Sequence, residues 1–169
     1  MISLAQLNAA PAGEFVAALG GIYEHSDWVP QRILQQRPFP DQDHLRKAMG
    51  QTVDQATDEE KLTLIRAHPD LAGKLARAGA LTQESTREQA GLGLDRLKDE
   101  EYEEFSEKNE SYREKFGFPF IICARLTTKQ GVLDAFERRL GNTQDEEISE
   151  ALFQIHQIAR LRLEDLVGG

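Results

Sequence analysis

His68 is where the types and spacing of residues first suggest chemistry. It stands in the run Ala67-His68-Pro69-Asp70-Leu71-Ala72-Gly73-Lys74. A residue that precedes proline is pushed out of the helical region toward extended backbone. Proline itself suits the first position of a helix, where its missing N–H is not needed. The spacing therefore predicts a helix from Pro69, with Asp70 in its first turn and His68 at its lip. An imidazole held there is a fixed group whose ordinary pKa lies nearest neutrality, suited to giving and taking protons. The other reading is a half-buried histidine at a helix start. Spacing alone leaves both open.

Two further stretches read with it. Ser85-Thr86-Arg87-Glu88-Gln89 has the spacing of a capping box, in which serine and the glutamate three residues on satisfy each other's amides. Alternatively Glu88 faces a pocket and pairs with His68, fixing its tautomer and favouring its protonated form. Gln89 carries both donors and an acceptor, as recognition of an amide-like ligand requires. The run Lys115-Phe116-Gly117-Phe118-Pro119-Phe120-Ile121-Ile122-Cys123-Ala124 is too aromatic for a solvated loop. It is either core packing or an extended strip whose backbone groups, between aromatic walls, meet a planar ligand. Arg160 and Arg162 lie two apart in an otherwise apolar helix, so at most one faces the apolar side. A guanidinium there could grip a carboxylate bidentately.

The elements that must position these groups all read as helices. Ser3 caps a first turn carrying Leu4 and Leu7, and Phe15, Val16, Leu19, Ile22 and Tyr23 recur at helical spacing until Gly20-Gly21 weakens the end. Trp28, Val29, Ile33 and Leu34 form a short stripe stopped by Arg37-Pro38-Phe39-Pro40. Asp41 or Asp43 caps the next helix, through Leu45, Ala48, Met49 and Val53. Thr57-Asp58-Glu59-Glu60 is a capping box that launches Leu62, Leu64 and Ile65 and delivers the chain to His68. The helix expected from Pro69 carries Leu71, Ala72 and Leu75 and ends near Gly79. Another, entered through Thr82 or Ser85, runs to Leu94. The charged stretch 98–115 keeps Tyr102, Phe105, Tyr112 and Phe116 on a sparse stripe. Residues 116–124 are β-like but have no partner strand, so they read as an extended segment between helices. Helices over 131–140 and 145–167 complete an all-α chain, a single compact multi-helix domain over residues 1–169.

Bulk composition narrows the class. The 169 residues are 40% hydrophobic and 29% charged, the profile of a folded domain. No apolar run approaches the roughly 20 residues that span a bilayer. A formal net charge of −9 argues against nucleic acid as partner. His25, His44, His68 and His156 show no metal-ligand spacing, and the single cysteine cannot build a zinc site or an internal disulfide. No phosphate loop or dinucleotide fingerprint occurs. The expectation is a cofactor-free, metal-free site on a cytoplasmic protein with no membrane partner.

Taken together, His68-Pro69-Asp70-Leu71-Ala72-Gly73, then Ser85-x-x-Glu88-Gln89, then Phe116-Gly117-Phe118-Pro119-Phe120-Ile121 resemble the decarboxylases of 2-oxo-4-hydroxy-4-carboxy-5-ureidoimidazoline (OHCU) in urate breakdown. The resemblance runs from Arg37-Pro38-Phe39 to Ile158-Ala159-Arg160-Leu161-Arg162-Leu163. It implies an all-helical homodimer that converts OHCU to (S)-allantoin and CO2 without a cofactor. It implies His68 as the catalytic acid–base residue and Glu88 as its partner. Pro69, Ser85, Gln89, Arg162 and the backbone of Phe120, Ile121, Ile122, Cys123 and Ala124 would bind substrate. The competing readings are a cofactor-free lyase or hydrolase on another ureide, and a helical interaction module with no chemistry.

Overall fold

The computed structural model describes residues 1–168 and every side chain among them except those of Lys74 and Leu75. The chain is mostly helical, and it forms two compact units, Met1–Leu64 with His156–Gly169, and Ile65–Ile155. Among the described residues no helix is long and apolar enough to cross a membrane.

The first unit opens on α1 (Leu4–Ala9), where the Ser3 hydroxyl accepts the Gln6 N–H and the Gln6 side chain accepts the Ser3 N–H. Next comes α2 (Ala12–Leu19), which stops at Leu19, short of the expected Tyr23. The reason is a close turn: a Cβ on Gly20 would lie 2.7 Å from the Asp27 carboxylate. Ile22 and Tyr23 are still buried, in the turn rather than on a helix. After α3 (Trp28–Ile33) and the Arg37-Pro38-Phe39-Pro40 loop, Asp41 caps α4 (Gln42–Asp54) by accepting the His44 N–H at 2.8 Å. Thr57 and Glu60 make the expected reciprocal box at the start of α5 (Asp58–Arg66). Ile2–Ser3 (β1) and Val167–Gly168 (β2) pair in parallel, a two-residue ladder that no pattern announced. Leu7, Phe15, Leu19, Val29, Ile33, Leu45 and Val53 are fully buried in this unit.

The second unit begins where α5 runs out. No helix starts at Pro69. Residues 67–73 are a loop, and only a short α6 (Lys74–Arg77) follows. The local preference loses because side chains from two later helices take the loop's backbone groups, and Ala72 sits at a left-handed φ of 52° that no helix tolerates. Leu71 and Ala72 are buried as expected; the side chain of Leu75 falls outside the described set. Gly79 does adopt a positive φ, 67°, shortly after the short helix ends.

The remaining elements are α7 (Gln83–Gly91), α8 (Asp99–Phe116), α9 (Lys129–Arg139) and α10 (Gln144–Leu166), with short 3-10 turns at Leu94–Arg96 and Ala124–Leu126. Gly117, at φ 77°, ends α8 by donating to the Arg113 carbonyl. Residues 117–123 are then neither helix nor strand, as the sequence leads one to expect. Their aromatic rings point into the core. Phe118 packs against Tyr112 and Phe116, while Phe120 stacks on Phe136 at 3.8 Å and meets Tyr112 edge-on. The aromatic run is core packing through its side chains.

Candidate active site

Helix α7 is entered through Thr82, whose hydroxyl accepts the Ser85 N–H at 3.2 Å. Ser85 therefore lies inside the first turn and does not cap the helix. The Ser85–Glu88 spacing is one helical turn, not a capping box. Ser85, Glu88 and Gln89 fall at i, i+3 and i+4, so their side chains rise from one face. Ser85 and Gln89 are buried and Glu88 is half-buried.

Gln89 reaches the loop beyond His68. Its Oε1 accepts the Ala72 N–H at 2.8 Å, and its Nε2 donates to the Asp70 carbonyl at 3.3 Å. From α8, Asn109 Nδ2 donates to the Leu71 carbonyl at 2.8 Å, and Arg113 Nε lies 3.0 Å from the Asp70 carboxylate. Three successive residues are held by side chains, and the two before them are His68 and Pro69. His68 is 6% exposed, and its N–H donates to the Ile65 carbonyl at 3.2 Å. A histidine this buried at the edge of a pinned loop is held in one place, as acid–base work requires. An amide side chain has two N–H groups and two acceptor positions, so the loop occupies about half of what Gln89 offers.

The segment 120–124 is held just as firmly. Arg139 Nη1 donates to the Ile121 carbonyl at 2.6 Å, and the Cys123 N–H donates to Gln154 Oε1 at 2.9 Å. The Cys123 carbonyl accepts from Leu126 at 3.1 Å. Helix α7 packs against the turn Ala124–Leu126. Glu88 and Cys123 are close enough for the carboxylate's charge to reach the thiol. Burial pushes the Cys123 thiol up, and Glu88 adds to that in the same direction. Between Phe118 and Ala124, Ile122 alone is partly exposed.

Behind this segment lies a polar core that the sequence reading did not name. Arg139 and Glu147 are 1% and 0% exposed, with Arg139 Nε 2.8 Å from Glu147 Oε1. Tyr112 donates its hydroxyl to the same oxygen, and Asn142 Nδ2 donates to Oε2 at 2.9 Å. Burial and that bond push the Tyr112 phenol up, so it stays a donor. The Arg139 guanidinium lies 4.3 Å from the Phe120 ring centroid. A signal for this pair existed. Arg139 continues the stripe of Val132, Ala135 and Phe136, and Glu147 that of Ala151 and Ile155, all of them buried.

Arg162 belongs to the first unit. Of the two arginines expected to divide between faces, it is the buried one, and Arg160 is half-buried beside Glu164. Arg162 Nη1 donates to Glu24 Oε2 at 2.7 Å and to the Gly21 carbonyl at 3.0 Å. Ser26 Oγ donates to the Glu24 carbonyl at 2.8 Å, and His25 between them has a positive φ of 49°. Among the described residues, no three His, Cys, Asp or Glu side chains gather as metal ligands would.

Comparison with known proteins falls on one family. The family described as OHCU decarboxylase matches residues 8–164. A protein of Haloferax volcanii named 2-oxo-4-hydroxy-4-carboxy-5-ureidoimidazoline decarboxylase is 42% identical over 96% of this chain and 94% of its own. The crystal structure of an (S)-allantoin synthase superposes with a TM-score of 0.80 at 32% identity, over 99% of this chain and 54% of that one. The crystal structure of an OHCU decarboxylase in the presence of (S)-allantoin gives a TM-score of 0.68 over 88% of this chain and 96% of that one. At 23% identity, that second likeness speaks for the fold.

Proposed function

This chain belongs to the OHCU decarboxylase family, and on that premise we propose that it decarboxylates 2-oxo-4-hydroxy-4-carboxy-5-ureidoimidazoline to (S)-allantoin and CO2, with His68 as the acid–base residue. The observation that carries the reading is the pinned loop: a histidine 6% exposed, followed by backbone that Gln89 of α7 grips at Asp70 and Ala72. A group buried and immobilised in this way suits proton transfer in a dry site.

The reaction needs little beyond proton management. The substrate carries a carboxylate and a hydroxyl on one ring carbon, beside a C=N carbon that bears the ureido group. Breaking the carbon–carboxylate bond releases CO2; its electron pair forms a double bond to the neighbouring carbon while the C=N pair moves onto the ring nitrogen, which takes a proton, so the substrate is its own electron sink. A proton leaves the 4-hydroxyl as the carbonyl forms, and a proton reaches the neighbouring carbon. Delivery from one face gives one hand of allantoin. In this reading His68 moves the proton and Glu88 favours its charged form. Pro69, Ser85 and Gln89 and the backbone at 120–124 hold the ring and the ureido group, and the family resemblance assigns Arg162 to substrate binding, with the carboxylate as the group a guanidinium suits. Phe120 takes part through its backbone, since its ring is spent on Phe136 and Arg139. The match over residues 8–164 supports reading the whole chain as one such domain. Leu126 and Phe153, more than half exposed, support a homodimer, which we place in the cytoplasm.

The test follows optical activity while the protein is added to OHCU freshly made from urate. The expected result is rapid appearance of (S)-allantoin, lost in His68→Ala by about a hundredfold or more. Decay at the spontaneous rate to a racemate would remove the decarboxylase reading. A normal rate and handedness in His68→Ala would remove His68 from its role.

A further inference from the structure

Arg139 and Glu147 make an ion pair that water does not reach, 2.8 Å apart and at most 1% exposed. Such a pair is a poor source of stability, because desolvation cancels much of its attraction. Its informative property is what it grips. The guanidinium is fixed on one side by Glu147, itself held by Tyr112 and Asn142, and it stacks on Phe120. Its Nη1 then takes the Ile121 carbonyl at 2.6 Å.

A trans peptide is planar, with its C=O and N–H pointing opposite ways. The Ile121–Ile122 peptide is trans, the one cis bond of the described chain being Arg37–Pro38. Fixing the Ile121 carbonyl on Arg139 therefore aims the Ile122 N–H away from Arg139. By the same rule, the Cys123 N–H held by Gln154 aims the Ile122 carbonyl away from Gln154. Ile122 is also the one partly exposed residue of 118–124.

We propose that Arg139 is a positioning residue of this segment, aiming the Ile122 backbone N–H, as Gln154 aims the Ile122 C=O, at the substrate's amide and ureido groups. This deepens the decarboxylase reading and rests on it for the identity of the ligand. Arg139 touches no reacting atom in this scheme. A contact made equally in the ground and transition states changes KM and leaves kcat alone.

Arg139→Lys is the direct probe. Lysine keeps the charge beside Glu147, but its donors share one nitrogen, which cannot stand where both Nε and Nη1 of Arg139 do, so it cannot hold the Ile121 carbonyl at the same place. The expected result is a KM for OHCU raised about tenfold, with kcat within about twofold and an unchanged pH profile. The exposed neighbour Arg138→Lys should leave both constants as they are. In an amide proton–nitrogen spectrum, the Ile122 resonance should move in Arg139→Lys without ligand, and in the unmodified protein on adding (S)-allantoin. If Arg139→Lys does not fold, the double variant Arg139→Met with Glu147→Met leaves no buried charge unpaired and is read the same way. A folded variant with unchanged KM and an unmoved Ile122 amide would overturn the proposal, and so would a loss confined to kcat. Absence of turnover in the unmodified protein would sink the decarboxylase reading instead. The ligand-free Ile122 shift would still decide whether Arg139 positions that amide.

Discussion

The Gln89 side-chain oxygen accepts the Ala72 backbone N–H at 2.8 Å, and this bond stands where a helical hydrogen bond would otherwise be. The amide nitrogen of the same side chain donates to the Asp70 carbonyl. One residue of α7 thus decides the path of the chain just beyond His68. Gln89→Leu removes both bonds and leaves a buried N–H without a partner, which costs about 1–3 kcal/mol for each group abandoned. Urea unfolding should show a lower midpoint at unchanged slope. A variant as stable as the parent would mean that the loop holds itself.

Glu88→Gln keeps shape and removes charge. A carboxylate beside an imidazole raises its pKa, so losing that charge lowers it. On the proposed pairing, the limb of the pH–rate profile that reports His68 moves to lower pH, and kcat/KM falls by about tenfold or more. An unshifted profile would separate the two residues.

Cys123 should be an inert thiol in the native protein. Burial, and then the charge of Glu88, hold its pKa above the ordinary 9.0. A raised pKa leaves less thiolate at a given pH, so alkylation by iodoacetamide at pH 8 should be slower in the native protein than in the urea-unfolded chain. The folded state prefers the protonated thiol, so this contribution is complete below pH 9 and is lost as pH rises toward the higher folded value. Cys123→Ser should flatten that alkaline loss in a denaturation series.

Glu24 and Arg162 are a buried pair at 2.7 Å, so removing one takes the opposite charge away from a buried group. Glu24→Ala should destabilise the protein by about 3–5 kcal/mol, while Glu24→Gln, which keeps an acceptor, should cost less. Thermal unfolding measures both. If Arg162 grips the substrate carboxylate as proposed, Arg162→Lys raises KM well beyond any loss of stability, because lysine cannot make the bidentate contact.

Much of the fold is written locally. The Ser3, Asp41 and Thr57 caps, the glycine end of α8 and the burial of Phe15, Leu45 and Phe105 follow from side chains acting on neighbours within a turn or two. The order of the His68, Ser85–Gln89 and Phe116–Ile121 stretches was equally legible, and it pointed to the family. The tertiary structure decided what the same residues do where long-range partners outbid local preference. Pro69 starts no helix because Gln89, Asn109 and Arg113, between 17 and 43 residues away along the chain, take the groups of residues 70–72. Ser85 does not cap because Thr82 does. Arg138 and Arg139 both read as cations at the end of a helix, yet Arg139 turns inward, because a carboxylate eight residues on is buried beside it and a carbonyl eighteen residues back needs a donor. Periodicity reports which face a residue lies on; it does not carry the identity of a partner that arrives from elsewhere in the chain.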